Sequence, residues 1–210
     1  MNIRKATKKD IPFIVNAILE IESFGDTNTF NNLFGSNTDE TTKYLKAFLS
    51  DAENFGNEFS LDTYFIAEVD QEIAACCALF CTDSAYYQSK SELFPIHLKS
   101  DHLKIFFENV KRLPDNKKIM EHKNYIEYLF VAKRFRNRGI SRPLIEKMIS
   151  KVERLYILAL ETNTFAVEYY KKLGFIPETG IESFAIDNPE NSIYLGSRKV
   201  MIHIDNQGAG

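Results

Sequence analysis

The chain has 210 residues, of which 44% are hydrophobic and 26% charged, values that are ordinary for a globular protein and that suit one enlarged domain better than two complete ones. A net charge of −3 argues against whole-molecule attraction to nucleic acid or to an anionic membrane. No apolar run of the sequence is long enough to cross a bilayer. We therefore expect neither partner and, because the polar N-terminus has no signal-peptide core, a cytoplasmic protein.

The cysteines and histidines show no metal-binding pattern. Cys76, Cys77 and Cys81 lie in one apolar stretch, where cysteine behaves as a small buried hydrophobe. Neighbouring Cys76 and Cys77 would point to opposite faces of a strand, and an odd number of cysteines speaks against a disulfide framework. The four histidines have no HExxH or other ligand spacing. We predict that the protein has no metal site.

The first third of the chain predicts one strand, two helices and a loop. Residues 2–6 are typical of a short strand, and apolar residues recur at helical spacing from Ile11 onward. A sequence close to a capping box precedes them at residues 7–10. Asn, Thr and Gly dominate residues 25–37, which predicts a loop, and residues 41–49 predict a second helix.

The middle of the chain predicts a hairpin followed by an insertion. Residues 63–69 and 72–80 are typical of two strands joined at Asp70 and Gln71. The second strand is almost entirely apolar, which predicts a central position with both faces buried. Residues 82–123 resemble an insertion that covers the substrate side, with one helix around residues 103–110 and a turn at residues 114–116.

The last third alternates between strands and helices. The pattern predicts strands at residues 125–131, 155–160, 175–184 and 198–204, and helices at residues 141–152 and 164–173. Gly174 follows the second of these helices, where a glycine commonly adopts the left-handed conformation that ends a helix. Residues 205–210 are expected to be a disordered tail.

The segment from Tyr125 to Pro143 runs from a strand through a basic turn into a helix. Residues 133–154 contain eight basic and two acidic side chains, although the whole chain is negative. A helix N-terminus and arginine side chains both favour an anion, and Gly139 allows a close backbone approach. Ser141 is the predicted N-cap of the helix. This order predicts a phosphate-binding turn.

The alternative for this segment is a basic surface helix that contacts nothing. Neither a GxxxxGK[ST] phosphate loop nor a GxGxxG motif is present, so a nucleoside triphosphatase is not supported and a dinucleotide site has weak support.

Two segments resemble the GNAT superfamily of N-acetyltransferases. Residues 136–141, RNRGIS, resemble its acetyl-CoA motif of Gln or Arg, two residues, Gly, one residue and Gly or Ala, with a serine at the last position. Residues 163–175 match the pattern N-x-x-A-x-x-x-Y-x-x-x-G-F at every stated position. The resemblance covers most of the chain and implies an α/β (α+β) fold. It implies one domain over residues 1–204, with a mixed sheet of about six or seven strands between helices and a helical insertion near residues 82–124.

The resemblance also implies acetyl-CoA as cosubstrate. Amides from Arg138 to Arg142 would bind its pyrophosphate, and pantetheine would lie along residues 129–131, where the strand diverges from its neighbour. The Val131 amide would polarise the thioester carbonyl, and Asn163 would contact the cofactor. The predicted cofactor-binding residues are Leu129, Phe130, Val131, Arg136, Asn137, Arg138, Gly139, Ile140, Ser141, Arg142, Asn163, Ala166 and Tyr170.

Two residues are the candidate catalytic groups. Glu127, on the strand four residues before Val131, is the predicted base, and period-two alternation predicts that the two side chains face the same way. Tyr170 is the predicted acid, because a phenol can protonate a departing thiolate. Each of these roles has an alternative. Glu127 would be a structural or ion-paired glutamate, Tyr170 an aromatic residue that faces the core, and Asn163, predicted above to contact the cofactor, a simple helix N-cap.

The predicted reaction moves an acetyl group to a primary amine of a small molecule or peptide by direct attack. A non-catalytic acyl-CoA-binding module and a transferase of a longer acyl group are the alternatives. The acceptor is expected to contact residues 24–39, 82–123 and 181–197, and a homodimer is left open. An aromatic wall in the insertion is one interpretation of Tyr86, Tyr87, Phe94 and Phe107, and core packing is the other.

Overall fold

A computed structural model describes residues 1–24, 26–112, 121–160, 163–178, 184–185 and 198–206. The strands are β1 (Asn2–Lys5), β2 (Ser23–Phe24), β3 (Thr27–Asn28), β4 (Tyr64–Val69), β5 (Glu72–Cys81), β6 (Asn124–Val131), β7 (Arg154–Leu160), β8 (Ile176–Pro177), β9 (Phe184–Ala185) and β10 (Arg198–Asp205). The α-helices are α1 (Ile11–Ile21), α2 (Thr29–Phe34), α3 (Thr38–Ser50), α4 (Ser84–His97), α5 (Ser100–Asn109), α6 (Ser141–Ile149) and α7 (Thr164–Lys172). None of these described helices is both long and apolar enough to span a bilayer.

The main sheet has the strand order β1-β4-β5-β6-β7-β10-β8, with β9 also paired to β10. β6 and β7 run parallel, whereas the other pairs are antiparallel. This arrangement confirms the predicted mixed sheet. β2 and β3 form a separate small hairpin.

Helices cover both faces of the sheet. Apolar residues of α1 to α5 form one core cluster on the first face, and α6 forms a second cluster on the opposite face, with α7 against it. Cys76 belongs to the first cluster and Cys77 to the second. Their opposite directions confirm the prediction from strand alternation.

β5 lies at the centre of the sheet, between β4 and β6. Its residues from Ala74 to Ala78 are fully buried, as the apolar run predicted. Asp70 and Gln71 have φ angles of 52° and 65°, the signs that a two-residue type I′ hairpin requires. The hairpin prediction is therefore confirmed.

The prediction of a loop over residues 25–37 is wrong, because α2 lies within it. The Asn28 side chain accepts a hydrogen bond from the Phe30 amide at 2.8 Å and caps the helix. Gly35, with a φ of 62°, ends the helix. The polar residues that suggested a loop are therefore the signals at the helix ends, and the buried Phe30 and Phe34 anchor the helix in the first core.

The insertion contains two helices where the sequence predicted one. α5 corresponds to the predicted helix. α4 was not predicted, because a proline such as Pro95 indicates in a sequence that a helix ends or is broken. The two helices pack against the first core through the buried side chains of Leu93, Phe94 and Phe106. The predicted turn at residues 114–116 lies outside the described residues.

The predicted strand over residues 175–184 is wrong in its extent, since β8 has only two residues and β9 begins at Phe184. β10 corresponds to the last predicted strand and extends it to Asp205. Residues 207–210 of the predicted tail lie outside the described part of the chain. The domain limits of 1–204 stay a prediction.

Candidate active site

β6 and β7 pair along only part of their length. In the described parts of the two strands, the parallel register joins Asn124 to Leu155 and Tyr125 to Tyr156 and then stops. On its other edge β6 stays paired with β5 as far as Val131. From Ile126 to Leu129 the described residues of the two strands are therefore unpaired, as the predicted divergence requires, while the divergence of Phe130 and Val131 stays a prediction because the residues opposite them lie outside the described part of the chain.

The backbone of Val131 faces this opening. The next amide, that of Ala132, donates to the Ala74 carbonyl of β5 at 2.9 Å. Because successive amides of a strand point to opposite edges, the Val131 amide points toward the gap between β6 and β7. This direction is the one that the predicted contact with a thioester carbonyl requires.

A bulge changes the direction of side chains along β6. Glu127 pairs with Ala78 and Phe130 with Cys76, so two residues of β6 oppose Cys77. One of the two, Tyr128, has a φ of 52°. The extra residue resets the alternation of side chains between the two faces of the sheet.

Glu127 and Val131 consequently face opposite sides of the sheet. Glu127 lies on the face of Ala78, in the first core, whereas Val131 lies on the face of Ala75, in the second. The prediction that both side chains face the same way is wrong, because the bulge inserts one residue between them. The Glu127 side chain lies on the face covered by α1 to α5.

Tyrosines surround Glu127. Tyr64, Ala78 and Glu127 form one cross-strand row over β4, β5 and β6. Burial raises the pKa of the Tyr64, Tyr86 and Tyr128 phenols, and the negative charge of Glu127 contributes to each increase. The carboxylate therefore lies near buried aromatic side chains, one of which, Tyr86, comes from α4.

The turn after β6 leaves a run of backbone amides without acceptors. Asn137 and Gly139 have φ angles of 63° and 73°, and Ile140 returns to the right-handed helical region. Such a change of hand turns successive amides toward one side and forms an anion-binding concavity. In the described part of the chain, no hydrogen bond joins the amides from Asn137 to Arg142 to a protein acceptor. A Cβ on Gly139 would meet nothing within 4 Å, so the turn is open to a ligand.

Ser141 does not cap α6 as predicted. It is the first helical residue, and Ile140 before it already has helical φ and ψ angles, so no extended residue precedes the helix to accept from its amides. The Ser141 Oγ lies 2.7 Å from the Tyr169 Oη instead. This bond joins the start of α6 to α7, and the first amides of α6 are left for an anion. Pro143 lies in the first turn, where its missing amide has no consequence.

The arginines of the turn differ in what they contact. Arg136 donates from Nε to the Val131 carbonyl at 3.0 Å and from Nη2 to the Glu20 carboxylate at 2.7 Å. Arg142 pairs with Glu146 one turn along α6. Arg138 lies over the ring of Phe135 at 5.5 Å, and within the described residues it has no carboxylate partner. Arg138 is thus the arginine that is available to an anion.

Asn163 caps α7, because its side chain accepts from the Ala166 amide at 3.1 Å. The capping interpretation is therefore correct, and the predicted cofactor contact of Asn163 and Ala166 stays a prediction. Gly174 has a φ of 96° and directs the chain out of the helix, so that Phe175 is buried in the second core.

Tyr170 lies on the face of the sheet opposite to Glu127. Its ring packs 5.5 Å from that of Phe175. Burial raises the pKa of Tyr170, and the nearby Cys77 contributes to the increase. The Cys77 Sγ in turn lies 3.7 Å from the Glu127 carbonyl oxygen. Among the described residues, the Tyr170 hydroxyl has no hydrogen-bond partner, so its proton is free to be donated.

Of the two interpretations of the aromatic residues in the insertion, core packing holds for Tyr86 and Phe94. Tyr86 is buried near Glu127, and Phe94 packs in the core against Phe106. Tyr87 and Phe107 are more than 40% exposed. Tyr169 was not assigned a role from the sequence, although its place directly before Tyr170 in the second motif was a usable signal.

No group of three or more His, Cys, Asp or Glu side chains in the described residues could hold a metal ion. The groups that the structure offers to a ligand at this site are amides, a guanidinium, a carboxylate and a phenol.

Comparisons with known proteins agree with this architecture. Residues 29–175 match the model of the acetyltransferase (GNAT) family. An N-acetyltransferase structure from Staphylococcus aureus Mu50 aligns with a TM-score of 0.72 at 15% identity, over 97% of this chain and 100% of that one. A ribosomal-protein-alanine N-acetyltransferase from Brucella melitensis aligns at 0.52 and 12% identity, over 98% and 99% of the two chains.

A mutant spermidine N-acetyltransferase from Vibrio cholerae aligns with a TM-score of 0.53 at 14% identity, over 98% of this chain and 95% of that one. No curated protein sequence matches the chain. At these identities the structures establish the fold, and the family model, which spans more than half of the chain, establishes the family. The protein therefore belongs to the GNAT family of acetyltransferases, enzymes of class EC 2.3.1 that use acetyl-CoA as acetyl donor.

Proposed function

We propose that this protein transfers the acetyl group of acetyl-CoA to a primary amine by direct attack in a ternary complex. One observation carries the proposal. The amides from Asn137 to Arg142 have no protein acceptor in the described chain, and they directly follow the unpaired edge of β6. An extended ligand with a phosphate group at one end fits both features.

The residues of the turn would hold the pyrophosphate. The amides from Arg138 to Arg142 supply uncharged donors, and the Arg138 guanidinium supplies a charge-assisted one. Pantetheine would lie along the edge of β6 in the position of an added strand. Arg136 fixes the end of that strand through its bonds to Val131 and Glu20, so the Val131 amide is held in place for the thioester carbonyl.

The acid and the base approach this edge from opposite faces of the sheet. Glu127 lies on the first face and would take the proton of the acceptor ammonium, whose pKa is about 10.4 in a lysine-like amine. Tyr170 lies on the second face. Because burial raises its pKa, it stays protonated at neutral pH and can donate. The amine thus enters on one face and the sulfur leaves toward the other.

The proposed transfer forms one bond and breaks one. The neutral amine nitrogen forms a bond to the thioester carbonyl carbon, and the bond from that carbon to sulfur breaks. Tyr170 gives its proton to the sulfur, and the proton that the nitrogen loses after attack restores the phenol. The products are an N-acetyl amine and the thiol of coenzyme A, and the proton that Glu127 took from the ammonium passes to the solvent. No covalent enzyme species forms, which distinguishes direct attack from an acyl-enzyme route.

An acetylation assay over a panel of primary amines tests the proposal, with both the thiol and the N-acetyl product measured. Initial rates at varied concentrations of both substrates should give intersecting double-reciprocal lines. Parallel lines would instead indicate an acyl-enzyme route. Release of the thiol without any N-acetyl product would contradict transfer to an amine.

A pair of variants with equal charge change tests the pyrophosphate site. Arg138→Ala should raise KM for acetyl-CoA by about tenfold or more, because it removes a charge-assisted bond. Lys147→Ala removes one positive charge near the other end of α6 and should leave that KM within about twofold, since exposed charges interact weakly. Equal effects of the two variants would place the pyrophosphate elsewhere.

A further inference from the structure

We propose that Phe165 stacks against the adenine ring of acetyl-CoA and thereby selects a donor that carries a nucleotide. This role rests on the proposed function, because it takes the position of the pyrophosphate from there. Phe165 stands at one of the unspecified positions of the motif N-x-x-A-x-x-x-Y-x-x-x-G-F. The motif therefore assigns it no function.

Phe165 is a large apolar side chain that the fold leaves in solvent. It is 80% exposed, more than any other large apolar side chain among the described residues, of which Ile96 comes next at 64%. Single exposed apolar residues are common on protein surfaces, so the exposure alone assigns no function. The position of Phe165 in the fold distinguishes it from the others.

α6 and α7 begin at the same edge of the sheet. β6 and β7 run parallel, and each is followed along the chain by one of the two helices. The N-termini of both helices therefore lie beyond the carboxyl ends of these strands, the edge at which open α/β sheets bind ligands. The amides proposed for the pyrophosphate belong to the start of α6, and Phe165 belongs to the first turn of α7.

The contact between Ser141 and Tyr169 fixes how the two helix starts lie side by side. The Ser141 Oγ and the Tyr169 Oη are 2.7 Å apart. Phe165 precedes Tyr169 by four residues, so it lies on the same side of α7 and about 6 Å closer to the start of the helix. Helical side chains lean toward the N-terminus. The ring therefore projects beyond Ser141, on the side of α7 that faces α6.

The nucleotide is the part of coenzyme A that meets this ring. Pantetheine runs inward along β6 from the proposed pyrophosphate site, so the adenosine lies on the opposite, solvent side of the turn. Phe165 offers a flat apolar surface there. Stacking of a base on an aromatic side chain is favourable for every base and needs no hydrogen bond. It would also cover an apolar ring that the free protein exposes to water.

Calorimetry with three ligands tests this role. Coenzyme A and dephospho-coenzyme A both carry adenine, whereas 4′-phosphopantetheine has none. Phe165→Ala should weaken the binding of the first two by about fivefold or more, the usual effect of one lost base–aromatic stack. It should leave the affinity for 4′-phosphopantetheine within about twofold, because the lost ring interacts with adenine alone.

Two further variants are the controls. Phe165→Tyr keeps an aromatic ring and should bind coenzyme A within about twofold of the natural chain. Phe55→Ala removes another exposed phenylalanine, which is 54% exposed and lies outside both motifs, and should also leave that affinity within about twofold. Thermal unfolding checks that each variant folds.

Fluorescence gives a second measurement that does not depend on affinity. The chain contains no tryptophan, so Phe165→Trp introduces a single indole at the proposed contact. Saturating coenzyme A or dephospho-coenzyme A should quench its emission, because adenine stacks on the indole, and 4′-phosphopantetheine should not. In Phe55→Trp none of the three ligands should change the emission.

The outcomes separate this role from the proposed function. An unchanged affinity for coenzyme A in Phe165→Ala, or an equal loss for 4′-phosphopantetheine, overturns the adenine contact and leaves the proposed function standing. A loss for coenzyme A without a loss for dephospho-coenzyme A also overturns it, because the ring would then act on the 3′-phosphate. If the natural chain binds none of the three ligands, the proposed function fails, and this role fails with it.

Discussion

The Ser141 Oγ and the Tyr169 Oη lie 2.7 Å apart, and this hydrogen bond ties the first residue of α6 to α7. The amides predicted to hold the pyrophosphate surround that residue. The bond therefore links the two segments that carry the family motifs, and it does so with a serine at a position where the motif has glycine or alanine.

This bond should stabilise the fold measurably. Ser141→Ala and Tyr169→Phe should each lower the free energy of unfolding by about 0.5–1.5 kcal/mol, the net value of one hydrogen bond. Chemical denaturation of both variants and of the double variant measures the coupling. The double variant should lose less than the sum of the single losses, and strictly additive losses would show that the two side chains do not interact.

Gly139 should be needed because the turn requires a positive φ at this position, and not because a side chain would clash with a neighbouring atom. Gly139→Ala places a Cβ at a φ of 73° with nothing within 4 Å, and Gly56→Ala does the same at 71°. Each should lower the free energy of unfolding by about 1–2 kcal/mol, the cost of a left-handed residue with a side chain. Only Gly139→Ala should weaken CoA binding in calorimetry. Equal CoA affinities of the two variants would contradict the role of the turn.

Glu127→Gln should remove or shift the acidic limb of the pH profile of kcat/KM. The carboxylate accepts the ammonium proton only when it is ionised, and the amide cannot accept it at any pH. The measurement compares the two profiles at saturating acetyl-CoA. A profile of unchanged shape would eliminate Glu127 as the base.

Tyr170→Phe should lower kcat by about a hundredfold or more, the usual contribution of a general acid, while KM for acetyl-CoA changes little. Because burial raises the pKa of Tyr170, the rate of the natural chain should not fall at the ordinary tyrosine pKa of about 10. Rates measured up to that pH check this point. An alkaline limb centred there that disappears in Tyr170→Phe would contradict the raised pKa of the phenol.

Asp10 should stabilise the fold above about pH 4. Burial alone would raise its pKa, but bonds from Arg4 at 2.7 and 2.9 Å and from the Thr7 amide hold the pKa below its usual range. A depressed folded-state pKa adds stability above the unfolded value of about 3.9 and loses it as the pH falls.

Asp10→Asn should therefore cost about 1–3 kcal/mol of unfolding free energy at neutral pH, and the deficit should shrink as the pH drops below 4. Glu153→Gln, at an exposed position, should cost less than about 0.5 kcal/mol. Urea unfolding at a series of pH values measures both variants. A deficit of Asp10→Asn that is independent of pH would show that the ion pair is not its cause.

Much of the fold was predictable because local signals and burial agree. The apolar run of β5 and the polar residues at 70–71 specify a central strand and its turn. The positive charge and the single glycine of the segment from Arg136 to Ser141 predict a phosphate-binding turn, and that role stays a prediction. In these places the sequence pattern and the tertiary environment require the same residues.

The orientation of Glu127 was not predictable from the sequence. The bulge at Tyr128 places a tyrosine at positive φ, a conformation for which its sequence gives no sign. The contact between Ser141 and Tyr169 depends on how distant segments of the chain pack. Pattern and spacing carry no information on such contacts.

Isothermal titration calorimetry of the purified chain with coenzyme A and acetyl-CoA tests the central claim most directly. Both ligands should bind with one molecule per chain, and their affinity should weaken with added salt, because Arg138 and the amides of the turn bind the pyrophosphate. Arg138→Ala should bind both ligands about tenfold more weakly or worse. If the folded chain binds neither ligand, the turn is not a pyrophosphate site and the proposed acetyl transfer cannot stand.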